Sequence, residues 1–195
     1  PYFYPSLAEV EAYEQFAAAM PAVAPVAVKS GWNADVIAEG KPSKLFSDNI
    51  LDNQGWVFYT EGVQKEGALC GSNGIVTTAK GTQFQIADFS KKNALTLKSN
   101  FSAGTLEFEN PEKCEELYFL VVSANGGASL IATAYYTDNS HTSNERYTPQ
   151  DWYSNYPSGS EAVYGLGRII TKAADSYKQD DIDTGKIRLY EYTMK

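Results

Sequence analysis

The sequence predicts an all-β protein, an antiparallel β-sandwich or jelly roll preceded by one short N-terminal helix. Three observations predict it. Short runs rich in β-branched and aromatic residues recur from Gly31 onward, Gly, Asn and Lys turn clusters punctuate them, and no helical pattern comes between them. Apolar content of 43% is that of a folded chain, and 195 residues are enough for one sizeable core. The 14 Tyr suit strands, and they also suit exposed surfaces where a ring and a hydroxyl are both useful.

The elements follow in order. Ser6-Leu7-Ala8-Glu9 has capping-box spacing, and Leu7, Val10, Tyr13, Phe16 and Met20 then recur near helical spacing until Pro21. This predicts a helix from Leu7 to Ala19. Residues 21–29 (PAVAPVAVK) read as an extended connector, because two prolines disfavour helix. Residues 1–29 are therefore set apart from a β domain over 30–195. Its expected strands are Asp35–Ala38, Trp56–Thr60, Gly74–Thr78, Gln83–Ala87, Ala94–Lys98 and Thr105–Glu109, then the two runs of 117–138, then Val163–Ile170 and Lys186–Thr193. In Leu117–Val122 both alternating sets are apolar, which predicts a strand covered on both faces near the middle of the fold. A Ser-Ala-Asn-Gly-Gly-Ala-Ser tract joins it to the next run, with glycines able to take positive φ. Residues 138–159 and 171–185 are longer and more polar than hairpin loops, and loops of that kind often carry function.

The formal charge is -8, and the one adjacent basic pair is Lys91-Lys92, so nucleic acid is not an expected partner. No apolar run is long enough to span a bilayer. Cys70 and Cys114 leave one disulfide or two free thiols open.

Several segments, taken together in order, resemble the galactose-binding-like jelly-roll modules of secreted and surface proteins from Bacteroides-type bacteria. They are GWNADVIAEG at 31–40, KNALTL at 92–97, the run 117–138, DWY at 151–153, YGLGR at 164–168 and RLYEY at 188–192. The resemblance covers the chain from about Gly31 onward. It implies a sandwich of eight or nine strands, an extracytoplasmic location at the cell surface or in secretion, and glycan binding or adhesion. Structural calcium is frequent in such modules, with backbone carbonyls supplying most ligands; no other cofactor is expected.

The candidate binding residues lie in the polar connector. Trp152, Tyr153 and Tyr156 offer rings for the C–H face of a sugar, while Asp151, Asn155 and Arg168 offer hydrogen bonds to its hydroxyls. Trp152 equally suits a plug at one end of the sandwich. Trp32, Asn33 and Asp35 open the β region and either line the same end or pack at strand entry. Arg168 follows Gly165-Leu166-Gly167 in an apolar strand, where locking a loop is the preferred reading. The glycines there lack the rest of a dinucleotide fingerprint.

Catalytic chemistry finds no motif. The lone His141 lies in a turn-like polar stretch without an orienting partner, and no nucleophile elbow is present. The carboxylates of 179–185 (QDDIDTG) miss the helix-loop-helix calcium spacing. The expectation is a non-catalytic module binding a glycan or cell-surface polysaccharide. Its alternatives are a structural or protein-interaction domain of a larger surface protein, and a glycoside hydrolase or lyase built on two facing carboxylates.

Overall fold

The computed structural model describes residues 24–38, 51–52, 54–59, 74–78, 80–98, 102–110, 114–153, 161–164, 166–170, 179–180 and 186–195. The expected helix at 7–19 lies outside them. The described residues are all β, without a helix among them. The strands are β1 (Val28–Ser30), β2 (Ile37–Ala38), β3 (Trp56–Tyr59), β4 (Ile75–Thr77), β5 (Gln83–Gln85), β6 (Glu107–Phe108), β7 (Leu117–Val121), β8 (Leu130–Ala132), β9 (Glu145–Tyr147), β10 (Glu161–Tyr164), β11 (Arg168–Ile170), β12 (Gln179–Asp180) and β13 (Arg188–Met194). They form a four-stranded sheet in the order β12-β11-β3-β2, a three-stranded sheet β10-β13-β7, and the pairs β1-β6, β4-β5 and β8-β9. Every ladder is antiparallel except β2 with β3, so the four-stranded sheet is mixed where antiparallel pairing was expected.

The strand buried on both faces is β3. Its WVFY sequence is buried at all four positions, and the two-residue side-chain period divides them. Trp56 and Phe58 enter one cluster with Val76, Trp152, Leu166 and Ile187, while Val57 and Tyr59 join Ala38 and Ile169 in another. In contrast, β7 is half-buried throughout and, among the described residues, pairs only with β13. The apolar residues on its two faces therefore reflect partial cover on each side. Phe119 packs edge-on against Tyr147 at 5.1 Å and stacks with Tyr192 at 6.1 Å.

The two runs of 117–138 do not pair with each other. β8 pairs with β9, inside the segment expected as loop, and β7 pairs with β13 over five registered positions. The expected strand Val163–Ile170 divides into β10 and β11, which belong to different sheets. The chain crosses between sheets at Leu166 and Gly167; Leu166 is wholly buried there, and the Gly167 carbonyl accepts from Tyr59 N at 3.1 Å. Residues 94–98 form no strand beyond an Ala34–Ala94 bridge. The Asn33 side chain replaces a ladder partner, donating to the Thr96 carbonyl at 2.9 Å and accepting from Thr96 N at 2.8 Å.

Gly31 closes the β1 end against the segment before β6. Its φ is +108°, and a Cβ there would stand 2.0 Å from the Thr105 carbonyl oxygen, so only glycine fits this approach. Cys114 is a free, exposed thiol.

Candidate functional site

The turn before β3, the loop after β7, the turn at 151–153 and β11 converge on one cleft of about 170 Å³. Asp52, Gln54, Asn125, Asp151, Tyr153 and Arg168 line it, and the buried Trp152 contributes to its wall. This is smaller than most small-molecule pockets, which run from roughly 300 Å³ upward. A small polar group suits it.

Local chemistry shapes each wall. Asp52 starts an Asx turn: its Oδ1 accepts from Gln54 N at 3.1 Å and Trp56 N at 3.0 Å, which turns the chain into β3. In the loop after β7, Asn125 (φ 62°) and Gly126 (φ 109°) are both left-handed, a pairing that Asn-Gly tolerates at low cost. Asp151 ties that loop to its own turn, accepting from Gly126 N through Oδ2 and from Tyr153 N at 2.9 Å through Oδ1. Ser123 and Asp151 form a parallel bridge, with Ser123 N donating to Gln150 O and Trp152 N to Ser123 O, both at 2.9 Å. Beyond it, Tyr153 bridges Ile187, and Arg188 N donates to Trp152 O at 2.9 Å.

Arg168 is clasped between rings. Its guanidinium carbon lies 4.0 Å from the Trp56 ring centroid and 3.8 Å from that of Tyr153, with Trp152 at 5.8 Å. The residue is 9% exposed, so these cation–π contacts act in a largely desolvated place. These contacts are with rings, where the sequence led to an acidic or carbonyl partner for Arg168.

Of the residues singled out in the sequence, Trp152, Tyr153, Asp151 and Arg168 do meet here. Trp152 does not stack outward. At 1% exposure it sits in the core, edge-on to Phe58 at 5.1 Å and 75°, because burying so large an apolar ring stabilises more than presenting it to water. The expectation of Trp152 as a ligand platform is thereby corrected. Trp32 is half-buried and Asn33 exposed, and neither lines the cleft; Asn33 is engaged with Thr96. Asn155 and Tyr156 lie outside the described residues.

Sequence reasoning missed Asp52, Gln54 and Asn125. The Asn53-Gln54-Gly55 turn signal and the Asn-Gly-Gly tract mark both loops, but nothing local indicates that they face 151–153. The polar groups left over are the useful ones. The Asp52 Oδ2, the Gln54 and Asn125 amides and the Tyr153 hydroxyl make no hydrogen bond to the described residues. Two amides, a hydroxyl and a carboxylate oxygen offer both donors and acceptors to a polar guest.

Elsewhere, His141 is exposed, its ring 5.7 Å from that of Tyr135. Among the described residues no three His, Cys, Asp or Glu side chains gather as metal ligands, and no helix is long and apolar enough to cross a membrane. No family model matches the chain, and neither a curated protein nor a solved structure does.

Proposed function

We propose that the chain is a non-catalytic β-sandwich module of the galactose-binding-like kind, secreted or held at a cell surface, that binds carbohydrate or contributes to adhesion. The observation that carries this reading is the cleft with four unengaged polar groups around a ring-clasped Arg168. Tyr153, Asn125, Gln54 and Asp52 then hold the sugar hydroxyls, while Trp152, Asp151 and Arg168 hold the walls. Both Asp151 oxygens already accept backbone amides, which favours a binding role for the cleft over acid–base chemistry by a carboxylate pair. The extracytoplasmic location and the sandwich rest on the family resemblance.

A glycan array followed by titration calorimetry tests the reading, with affinities expected around the millimolar to micromolar range. Asn125→Ala and Tyr153→Phe each remove one unengaged group and are expected to weaken binding about fivefold to tenfold. Trp152→Phe, which alters the wall only, is expected to leave specificity unchanged. An array without hits, or hits untouched by both cleft variants, sinks it. A second reading, a protein-interaction domain without a small ligand, is favoured by Ile131, Tyr135 and Tyr136, which are 54%, 75% and 50% exposed around the β8–β9 hairpin. Binding lost on Tyr135→Ser with Tyr136→Ser, but kept in the cleft variants, supports that one.

A further inference from the structure

We infer that Asp52 sets the charge selectivity of the cleft, admitting ligands that bring a hydroxyl or ammonium donor to it and rejecting those that bring a carboxylate. The inference rests on the reading of the cleft as a saccharide site and goes on to say which saccharides it takes.

Asp52 is 5% exposed, yet only one of its oxygens is engaged. Oδ1 accepts the Gln54 and Trp56 amides; Oδ2 accepts nothing from the described residues. A buried carboxylate oxygen left without a donor is unusual in a folded protein and requires a water or a guest to supply one. Asp52 lines the cleft, so a guest hydroxyl there replaces water with a charge-assisted hydrogen bond.

The cation in the same wall does not cancel this preference. Arg168 is only 9% exposed and its guanidinium carbon lies 4.0 and 3.8 Å from two ring centroids, so little of its charge is open to an approaching anion. Asp151 adds a second negative charge to the lining, and the whole chain carries -8. An acidic sugar would set its carboxylate against the buried Asp52 and the half-buried Asp151, a like-charge contact that is unfavourable.

The test compares sugars that differ only in that group: methyl galactoside with methyl galacturonide, and methyl glucoside with methyl glucuronide, titrated calorimetrically into the full chain. The neutral member of at least one pair is expected to bind about tenfold or more tighter than its acid. Asp52→Asn keeps the Oδ1 acceptor for both amides and turns the second position into a donor, so the ratio should fall to near unity or invert. Asn125→Asp adds a carboxylate at a left-handed position that Asp tolerates, and should widen the ratio even if Asp52→Asn folds poorly. Equal binding of neutral and acidic sugars, or a ratio that a folded Asp52→Asn leaves unmoved, overturns the role of Asp52 while leaving saccharide binding intact. Binding of none of the four, together with an empty glycan array, overturns the saccharide reading itself, and the selectivity falls with it.

Discussion

Replacing Arg168 by Lys keeps the charge and removes the plane, which makes it the sharpest probe of how the cleft is held. The guanidinium makes two ring contacts, at 4.0 Å to Trp56 and 3.8 Å to Tyr153, in a residue only 9% exposed. Desolvated cation–π contacts contribute up to about 2 kcal/mol each. A compact, strongly hydrated ammonium cannot lie flat between two rings, so most of both is lost. The expected destabilisation of Arg168→Lys is about 2–3 kcal/mol, or about 4–12 °C in melting temperature for a chain of this size. Urea unfolding of Arg168→Lys, Tyr153→Leu and the double variant should give a coupling of about 1–2 kcal/mol. Lys186, whose ammonium is 5.8 Å from the same Tyr153 ring, serves as the comparison: Lys186→Met should cost under about 0.5 kcal/mol. A loss below about 0.5 kcal/mol for Arg168→Lys, with coupling near zero, refutes the clasp.

Three further outcomes follow from the same packing. Trp152→Ala should cost about 3–5 kcal/mol in urea unfolding, since a 1% exposed indole leaves a cavity beside Phe58; a cost under about 1 kcal/mol would place the ring outside the core. Glu191 is buried and accepts from the Thr78 hydroxyl at 2.8 Å and the Thr82 hydroxyl at 3.0 Å. Glu191→Ala strands both donors and should cost about 1–3 kcal/mol, with Glu191→Gln costing less; equal losses would show that the acceptors are not what matters. The Ser90 hydroxyl and amide, with Lys91, hold the Asp88 carboxyl down at about 2 from 3.8. Its folded value is depressed, so its stabilising contribution is present above the unfolded value and is lost as pH falls from about 4 toward 2. Carboxyl carbon NMR titration should find Asp88 ionising near pH 2, and an ordinary value near 3.8 would contradict the Ser90 cap.

The all-β class was legible because alternation and turn residues are local. Which strand lies deepest was not. Leu117–Val122 and Trp56–Tyr59 are both apolar on two faces in the sequence, but among the described residues only the second receives neighbours on both sides, β11 and β2. A strand's cover comes from residues far away in the chain, and its own composition does not specify them. The same reason hid β9 and β12 in segments read as loops, because two- or three-residue strands carry no measurable period. The two strands read on either side of the Asn-Gly-Gly tract are both present but pair elsewhere. Asn125 and Gly126 do take positive φ, but Asp151 captures the Gly126 amide, and the turn is docked onto 151–153 instead of reversing the strand.

Asp151 and Asp52 show why the site was only half legible. Both are aspartates in polar turns, and the sequence offers no means of ranking them. In the fold, Asp151 gives one oxygen to its own turn and the other to the loop after β7, which makes it part of the frame. Asp52 gives one oxygen to two amides and keeps the other for whatever enters. A residue type suited to gripping a sugar is equally suited to gripping a backbone amide, and the backbone is closer. Choosing ligand contacts by residue type therefore gathers the frame first, as it did with Asp151, Trp152 and Arg168. The remainder of each side chain's hydrogen-bonding capacity, counted after folding, separates Asp52, Gln54, Asn125 and Tyr153 from that frame.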